Sequence, residues 1–164
     1  MPFFAIERLV PQDIEIERKY LLRELPRFPK PAAILEVDQG YVPGKKVLER
    51  VRRQQSDTGE VRYFRTMKMG SGVERMELED ETDEALFKHL WALTEGRRVR
   101  KRRYVIPNGN DNWEIDEFLD HPLVLAELEL DRADAPVTIP DWLTPVLVRE
   151  VTDEPGYTNR SLAR

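Results

Sequence analysis

The chain has 164 residues, enough for one domain with a sizeable core; 35% of them are charged and 40% hydrophobic. It has no cysteine, which excludes a disulfide framework, a thiol nucleophile and cysteine-ligated zinc. A formal net charge of −5 argues against nucleic-acid binding, and neither a membrane-length apolar run nor a signal peptide is present, so a cytoplasmic protein is expected.

Residues 1–12 carry Phe3, Phe4, Ile6, Leu9 and Val10, and are expected to form an arm on the outside of a single domain spanning 1–164. The first predicted strand runs over 13–22, where Ile14, Ile16 and Tyr20 alternate with Glu15, Glu17 and Lys19 at the strand period of two. Prolines 26, 29 and 31 preclude a long helix after it. A second strand over 34–42 carries Gln39-Gly40-Tyr41 and is broken by Pro43-Gly44. The third, 47–54, puts Leu48, Arg50 and Arg52 on one face, and Asp57-Thr58-Gly59 turns it into a fourth over 61–69. There Thr66 and Lys68 share a face. Gly70-Ser71-Gly72 leads into a fifth strand, 73–81, with Arg75, Glu77 and Glu79 aligned.

Thr82-Asp83-Glu84 then opens a helix, a hydroxyl cap followed by acids in the first turn. Leu86, Leu90 and Leu93 follow at helical spacing beside Phe87 and Trp91, and Gly96 ends the helix. Strands over 97–106 and 112–119 flank the turn Asn108-Gly109-Asn110, and His121-Pro122 separates them from a strand over 123–131. A short helix is predicted over 141–149, and a last helical turn within the tail 157–163. His89, on the helix, and His121, in a turn, read as surface or structural residues.

About eight strands joined mostly by hairpins favour a sandwich or a closed barrel. A sandwich would have to bury ionic faces, at several kcal/mol for each unpaired charge. The fold expected is therefore α+β and mainly β: an eight-stranded antiparallel barrel with a wet, charged lumen and a few flanking helices. Its lining would hold the bases Lys19, Arg50, Arg52, Lys68, Arg75, Lys101 and Arg103, with the acids Glu15, Glu17, Glu77, Glu79, Glu114, Asp116, Glu127 and Glu129. The alternate face of the basic strand, with Arg98, Arg100 and Arg102, is expected to be solvated or paired with surface acids. Simple salt-bridge pairing is the plain explanation of the lining. The functional one is that bases grip a polyanion while carboxylates hold a hard divalent cation, an arrangement suited to a phosphate chain.

Glu15-Ile16-Glu17-Arg18-Lys19 resembles the ExExK signature of the CYTH superfamily, the triphosphate tunnel metalloenzymes. The likeness continues through Gln39-Gly40-Tyr41, Arg50 and Arg52, Met67-Lys68, Arg75 with Glu77 and Glu79, Thr94 to Arg98, Lys101 with Arg103, Glu114-Ile115-Asp116, Glu127-Leu128-Glu129, and Glu150 to Asn159. It is greatest to the short bacterial branch that hydrolyses inorganic tripolyphosphate.

The resemblance implies a tunnel in which Lys19, Arg50, Arg52, Lys68, Lys101, Arg103 and Arg75 contact phosphate oxygens. It assigns Glu15, Glu17, Glu127 and Glu129 to Mg²⁺ or Mn²⁺, with Glu77, Glu79 and Asp116 assisting through a second ion or ordered water. Tyr41 and Lys68 match a dyad that activates the attacking water, since a neighbouring ammonium favours a phenolate; carboxylate-bound metal is the alternative source of the nucleophile. The partner implied is a small triphosphate, with no nucleic acid or membrane, for a monomer or homodimer. Adenylate cyclase of class IV, thiamine or nucleoside triphosphatase, and a non-catalytic polyphosphate or nucleotide sensor are the competing functions.

Overall fold

The computed structural model describes residues 14–45, 47–69 and 74–164; the expected arm over 1–12 and the turn at Gly70 to Gly72 lie outside them, as do the side chains of Ile14, Glu74 and Arg75. The alternating segments form nine strands: β1 (Ile14–Leu22), β2 (Ala33–Val42), β3 (Leu48–Ser56), β4 (Val61–Met69), β5 (Glu74–Thr82), β6 (Arg98–Asn108), β7 (Asp111–Phe118), β8 (Val124–Glu129) and β9 (Leu147–Glu150). Two helices join them, α1 (Glu84–Trp91) and α2 (Asn159–Leu162). The strands make one antiparallel sheet in the order β5-β4-β3-β2-β6-β7-β8-β1-β9.

β1 serves both of its edges. Along one lies β8, from the pair Glu17–Glu129 to Leu22–Val124, extended by the Leu130 N–H donating to the Ile16 carbonyl at 2.7 Å. The other edge takes β5 at residues 14–16 and β9 at residues 20–22. Nine strands replace the eight expected, because residues 147–150 are extended and not helical. Pro145 lies within a single 3₁₀ turn, Thr144–Val146, and the chain leaves that turn as β9. The β1–β5 seam is three residue pairs long, short of the full-length ladder a closed barrel would carry between these strands.

The two faces of the sheet differ as the alternation requires. On the outer face Tyr20, Leu22, Ile106, Trp113, Ile115, Ala126 and Leu128 are buried with Leu143 and Val146, under Leu25, Phe28 and Trp142. Complete burial of side chains this large contributes about 1.5–3 kcal/mol each. On the inner face the charged positions give way at one end to Val99, Phe118 and Leu125, which pack with Val151, Leu21, Tyr157, Leu162 and Ala163. Apolar side chains therefore stop the charged face where α2 lies across it. His121 fixes that helix through a 2.7 Å hydrogen bond between Nε2 and the Leu162 carbonyl.

α1 packs against β3 and β4 through Phe87, whose ring lies 5.1 Å from Tyr63 and 5.3 Å from Trp91. Its cap is the Asp83 carboxylate, which accepts from Leu86 N–H at 2.8 Å; Thr82, the expected hydroxyl cap, is the last residue of β5. The expected leucine stripe is also displaced: Leu86 and Leu93 are 39% and 55% exposed, because Phe87 and Trp91 set the helix's rotation. Past α1 the chain reverses at Gly96, whose φ of +74° is open to glycine at little cost.

Gly40 meets a different constraint. A Cβ there would stand 2.6 Å from Thr94 Oγ1. Thr94 cannot easily yield, since its hydroxyl donates to the Trp91 carbonyl and accepts from Arg98. Gly40→Ala should therefore cost about 1–3 kcal/mol by overpacking and lower the melting temperature by several degrees. An unchanged melting curve would show that Thr94 gives way freely.

Candidate active site

The strand register assembles the inner face into two charged walls around a cavity of about 610 Å³. On the first, Arg50 lies opposite Thr66, Thr66 opposite Glu79, and Lys68 opposite Glu77. Arg50 Nη2 sits 3.3 Å from both Glu77 and Glu79 and donates to Thr66 Oγ1 at 3.2 Å. Arg52 reaches Glu79 at 3.2 Å, while Lys68 bridges Glu15 at 3.3 Å and Glu77 at 3.2 Å. On the second wall Arg103 grips Asp116 through two 2.7 Å hydrogen bonds and also meets Glu114 at 2.7 Å and Glu127 at 3.2 Å. Lys101 donates to Asp116 at 2.7 Å and to Asn159 at 3.2 Å.

Most of the residues nominated from sequence thus face one space: Glu15, Glu17, Arg50, Arg52, Lys68, Glu77, Glu79, Lys101, Arg103, Glu114, Glu127 and Glu129 all line the cavity. Lys19 and Asp116 are buried behind the lining; Lys19 Nζ holds Glu127 at 3.4 Å and donates to the Tyr157 carbonyl at 3.1 Å. Arg75 sits opposite Glu15 in the register, and its side chain lies outside the described residues. Tyr41 is buried and does not line the cavity; its hydroxyl accepts from Gln39 Nε2 at 2.9 Å. It is in register with Arg50, and β3 stands between it and the strand of Lys68.

Gln39, Gln54, Arg62, Phe64 and Asn159 also line the space without having been assigned a role. The period of two could have found the first four, which continue the inward positions of β2, β3 and β4. Asn159 arrives from α2 and left no such signal. Outside, Arg100 pairs with Asp38 at 2.7 Å and Arg102 with Glu36 at 2.5 Å, as expected of that face. Arg98 instead stacks 4.3 Å above the Trp91 ring.

Burial and charge divide the carboxylates into two kinds. Burial would raise Asp116, but Arg103 and Lys101 more than offset it and hold the group well below the usual carboxylate range. Glu77 and Glu79 are likewise lowered: burial is outweighed at Glu77 by its hydrogen bond with Glu15 and by Lys68 and Arg50, and at Glu79 by Arg52 and Arg50. Glu127 is lowered too, its burial outweighed by Lys19 and Arg103, whereas Glu15, Glu17, Glu114 and Glu129 go up. Glu17 is pushed to about 7 by burial and then by Glu127. Glu15 rises through burial and its hydrogen bond to Glu77, and Glu129 through burial and the charge of Glu15. Burial also brings Arg52 down to about 10, reinforced by Arg50.

The raised carboxyls of β1 and β8 lie close together. Glu15, Glu17 and Glu129 share adjoining ends of β1 and β8, and Glu17 and Glu129 are directly opposed. Glu77 Oε2 and Glu127 Oε1 are buried without a hydrogen bond, although lysine ammonium groups stand 3.2 and 3.4 Å away. Hard carboxylate oxygens, crowded and incompletely satisfied, fit Mg²⁺ or Mn²⁺ in donor type. Among the described residues no three acidic or histidine side chains form a metal-binding cluster.

Glu17 supplies a pH test. Its folded-state value of about 7 exceeds the ordinary 4.5, so between these values the folded chain holds a proton the unfolded chain has lost. Stability therefore falls as pH rises through that window, by up to about 3 kcal/mol. In chelator, Glu17→Gln should melt several degrees above wild type at pH 8 and close to it at pH 4.5. An equal difference at both pH values would contradict the assignment.

No family model matches the chain. It is 38% identical over 157 residues to the inorganic triphosphatase of Nitrosomonas europaea, covering 91% of this chain and 96% of that protein. The inorganic triphosphatase of Acetivibrio thermocellus is 31% identical over 153 residues, covering 92% and 93% respectively. The crystal structure of the inorganic triphosphatase NE1496 matches with a TM-score of 0.60 and 34% identity over 91% of this chain and 93% of that one. PH1012 of Pyrococcus horikoshii, with a TM-score of 0.53 and 20% identity over 73% and 80%, shares the fold alone. The chain belongs to the inorganic triphosphatase family.

Proposed function

We propose that the protein hydrolyses inorganic tripolyphosphate to pyrophosphate and orthophosphate, with Mg²⁺ or Mn²⁺, in the charged cavity. The observation that carries this is the convergence of Arg50, Arg52, Lys68, Lys101 and Arg103 on one space of about 610 Å³. The three-residue β1–β5 seam supports reading the sheet as the tunnel of the CYTH superfamily, with the substrate along its bore. A small triphosphate is then the partner, and the cytoplasm the expected compartment; no described helix is long and apolar enough to cross a membrane.

In the ligand-free chain each of these bases is held by carboxylates. A triphosphate exchanges those carboxylates for phosphate oxygens: Arg50, Arg52 and Arg103 present planar forks, while Lys68 and Lys101 act as point charges. Lys19 and Asp116, behind the lining, position Glu127 and Arg103. Glu15, Glu17, Glu127 and Glu129 would hold the divalent cation, with Glu77 and Glu79 assisting. When bound, that ion supplies Lewis-acid charge at the phosphoryl oxygens.

Water attacks the terminal phosphorus in line, forming a P–O bond as the bridging P–O bond breaks and pyrophosphate leaves with the electron pair. The surrounding bases neutralise charge that builds on the nonbridging and leaving oxygens. Tyr41 and Lys68 are our candidates for taking the proton that water loses. To act together Lys68 must release Glu15 and Glu77, and Tyr41 must give up the hydrogen bond from Gln39. Substrate drawn in among the bases favours the first change.

The decisive assay offers tripolyphosphate, ATP and thiamine triphosphate with Mg²⁺ or Mn²⁺ and identifies each product. Orthophosphate plus pyrophosphate from tripolyphosphate is expected; pyrophosphate from ATP without orthophosphate would identify a cyclase, and no turnover a binding module. Arg50→Ala and Lys68→Ala should each lower kcat/KM by roughly 100-fold with the fold intact. Kinetics equal to wild type would put that residue outside the site. Glu129→Gln should raise the metal concentration needed for half-activation, and an unshifted metal titration would remove it from the ligand set.

A further inference from the structure

A second cavity, of about 630 Å³, lies between the turn after β2, the residue preceding β6, and α2. Its charged lining residues are Lys45, Arg97 and Arg160, and among the described residues no carboxylate lines it. This contrasts with the first cavity, where every base has an acidic partner, in a chain whose net charge is −5. Among the described residues these three side chains take part in no ion pair or hydrogen bond. Backbone bonds fix two of the three segments that carry them: Tyr41 N–H donates to the Arg97 carbonyl at 3.0 Å, and Arg164 N–H ties the end of the chain to Arg98 at 3.0 Å.

Tyr41 forms one side of this space and lies on the same face of β2 as Gln39. Tyr41 lines the second cavity, Gln39 lines the first, and the 2.9 Å hydrogen bond between their side chains joins the two. The exposed cations face solvent, so an anion can reach them without passing through the charged lumen.

We propose that this second cavity is a separate phosphoanion site, held by Lys45, Arg97 and Arg160. Guanidinium forks suit phosphate oxygens, and the absence of competing carboxylates leaves their donors free. The ligand is released orthophosphate or the tail of a polyphosphate longer than three units. Choosing phosphate over other anions rests on the proposed hydrolysis; the three converging cations do not.

The test is a titration of the full-length protein, in chelator at low salt, with inorganic orthophosphate, followed by amide shifts in NMR. Saturable shifts are expected at Lys45, Arg97 and Arg160 to Ala163. The double variant Arg97→Gln/Arg160→Gln should weaken that binding at least about tenfold, and the Lys/Lys replacement should restore part of it. Tripolyphosphate kcat/KM should be unchanged in both. The single variant Arg160→Gln, at an exposed position, gives the same reading if the double variant is unstable.

A parallel titration with long-chain polyphosphate separates the sources. Weakening of both ligands in the variant assigns the site to the tail of the chain, and weakening of orthophosphate alone assigns it to product. Wild-type shifts confined to the lumen strands, or unchanged affinity for both ligands in the variants, would overturn the proposal. If the hydrolysis reading fails instead, wild type turns over no tripolyphosphate while the difference in orthophosphate binding persists.

Discussion

Keeping cations in a low-dielectric cavity before any ligand arrives is the constraint on which the rest of this structure depends. A buried charge left unpaired costs several kcal/mol, and this inner face carries many charged groups that must be paired. The solution is a strand register that sets acid beside base: Lys68 opposite Glu77, Arg103 opposite Asp116, Lys19 opposite Glu127. Such pairing returns little net stability, because desolvation cancels most of the attraction. The apolar outer face around Trp113, Ile115 and Leu128 has to supply the folding free energy.

The pairing also sets what the site can exchange. Asp116 is locked by Arg103 and Lys101 and is fully buried, so it functions as a post that aims them. Glu15, Glu17 and Glu129 are the opposite case, raised first by burial and then by neighbouring carboxylates, which the nearby bases do not offset. A polyanion bringing a divalent cation would meet both deficits at once. The anion would take the donors that the carboxylates release, and the cation would satisfy the carboxylates.

Much of this was legible in the chain, because a period of two translates directly into a face. Glu15 with Glu17, Arg50 with Arg52, and Lys101 with Arg103 could each be placed on one face of their strand from spacing alone. Arithmetic of this kind fails where the chain is not periodic. Residues 147–149 were expected to end a helix, and only pairing with β1 makes 147–150 a strand. Leu86 and Leu93 had helical spacing, but the rotation of α1 is fixed by rings on Phe87, Trp91 and Tyr63. Nor can spacing give depth: nothing local distinguishes Lys19, buried behind the wall, from Lys101, which lines it. Tyr41 and Lys68 follow the pattern as well, yet β3 lies between their strands.

The account is tested most directly by a crystal structure with a non-hydrolysable imido analogue of tripolyphosphate and Mn²⁺. It predicts the phosphate chain within hydrogen-bonding distance of Arg50, Arg52, Lys68, Lys101 and Arg103, and an anomalous Mn²⁺ peak among Glu15, Glu17 and Glu129. An analogue bound only on the outer surface, with the inner ion pairs unchanged, would contradict it.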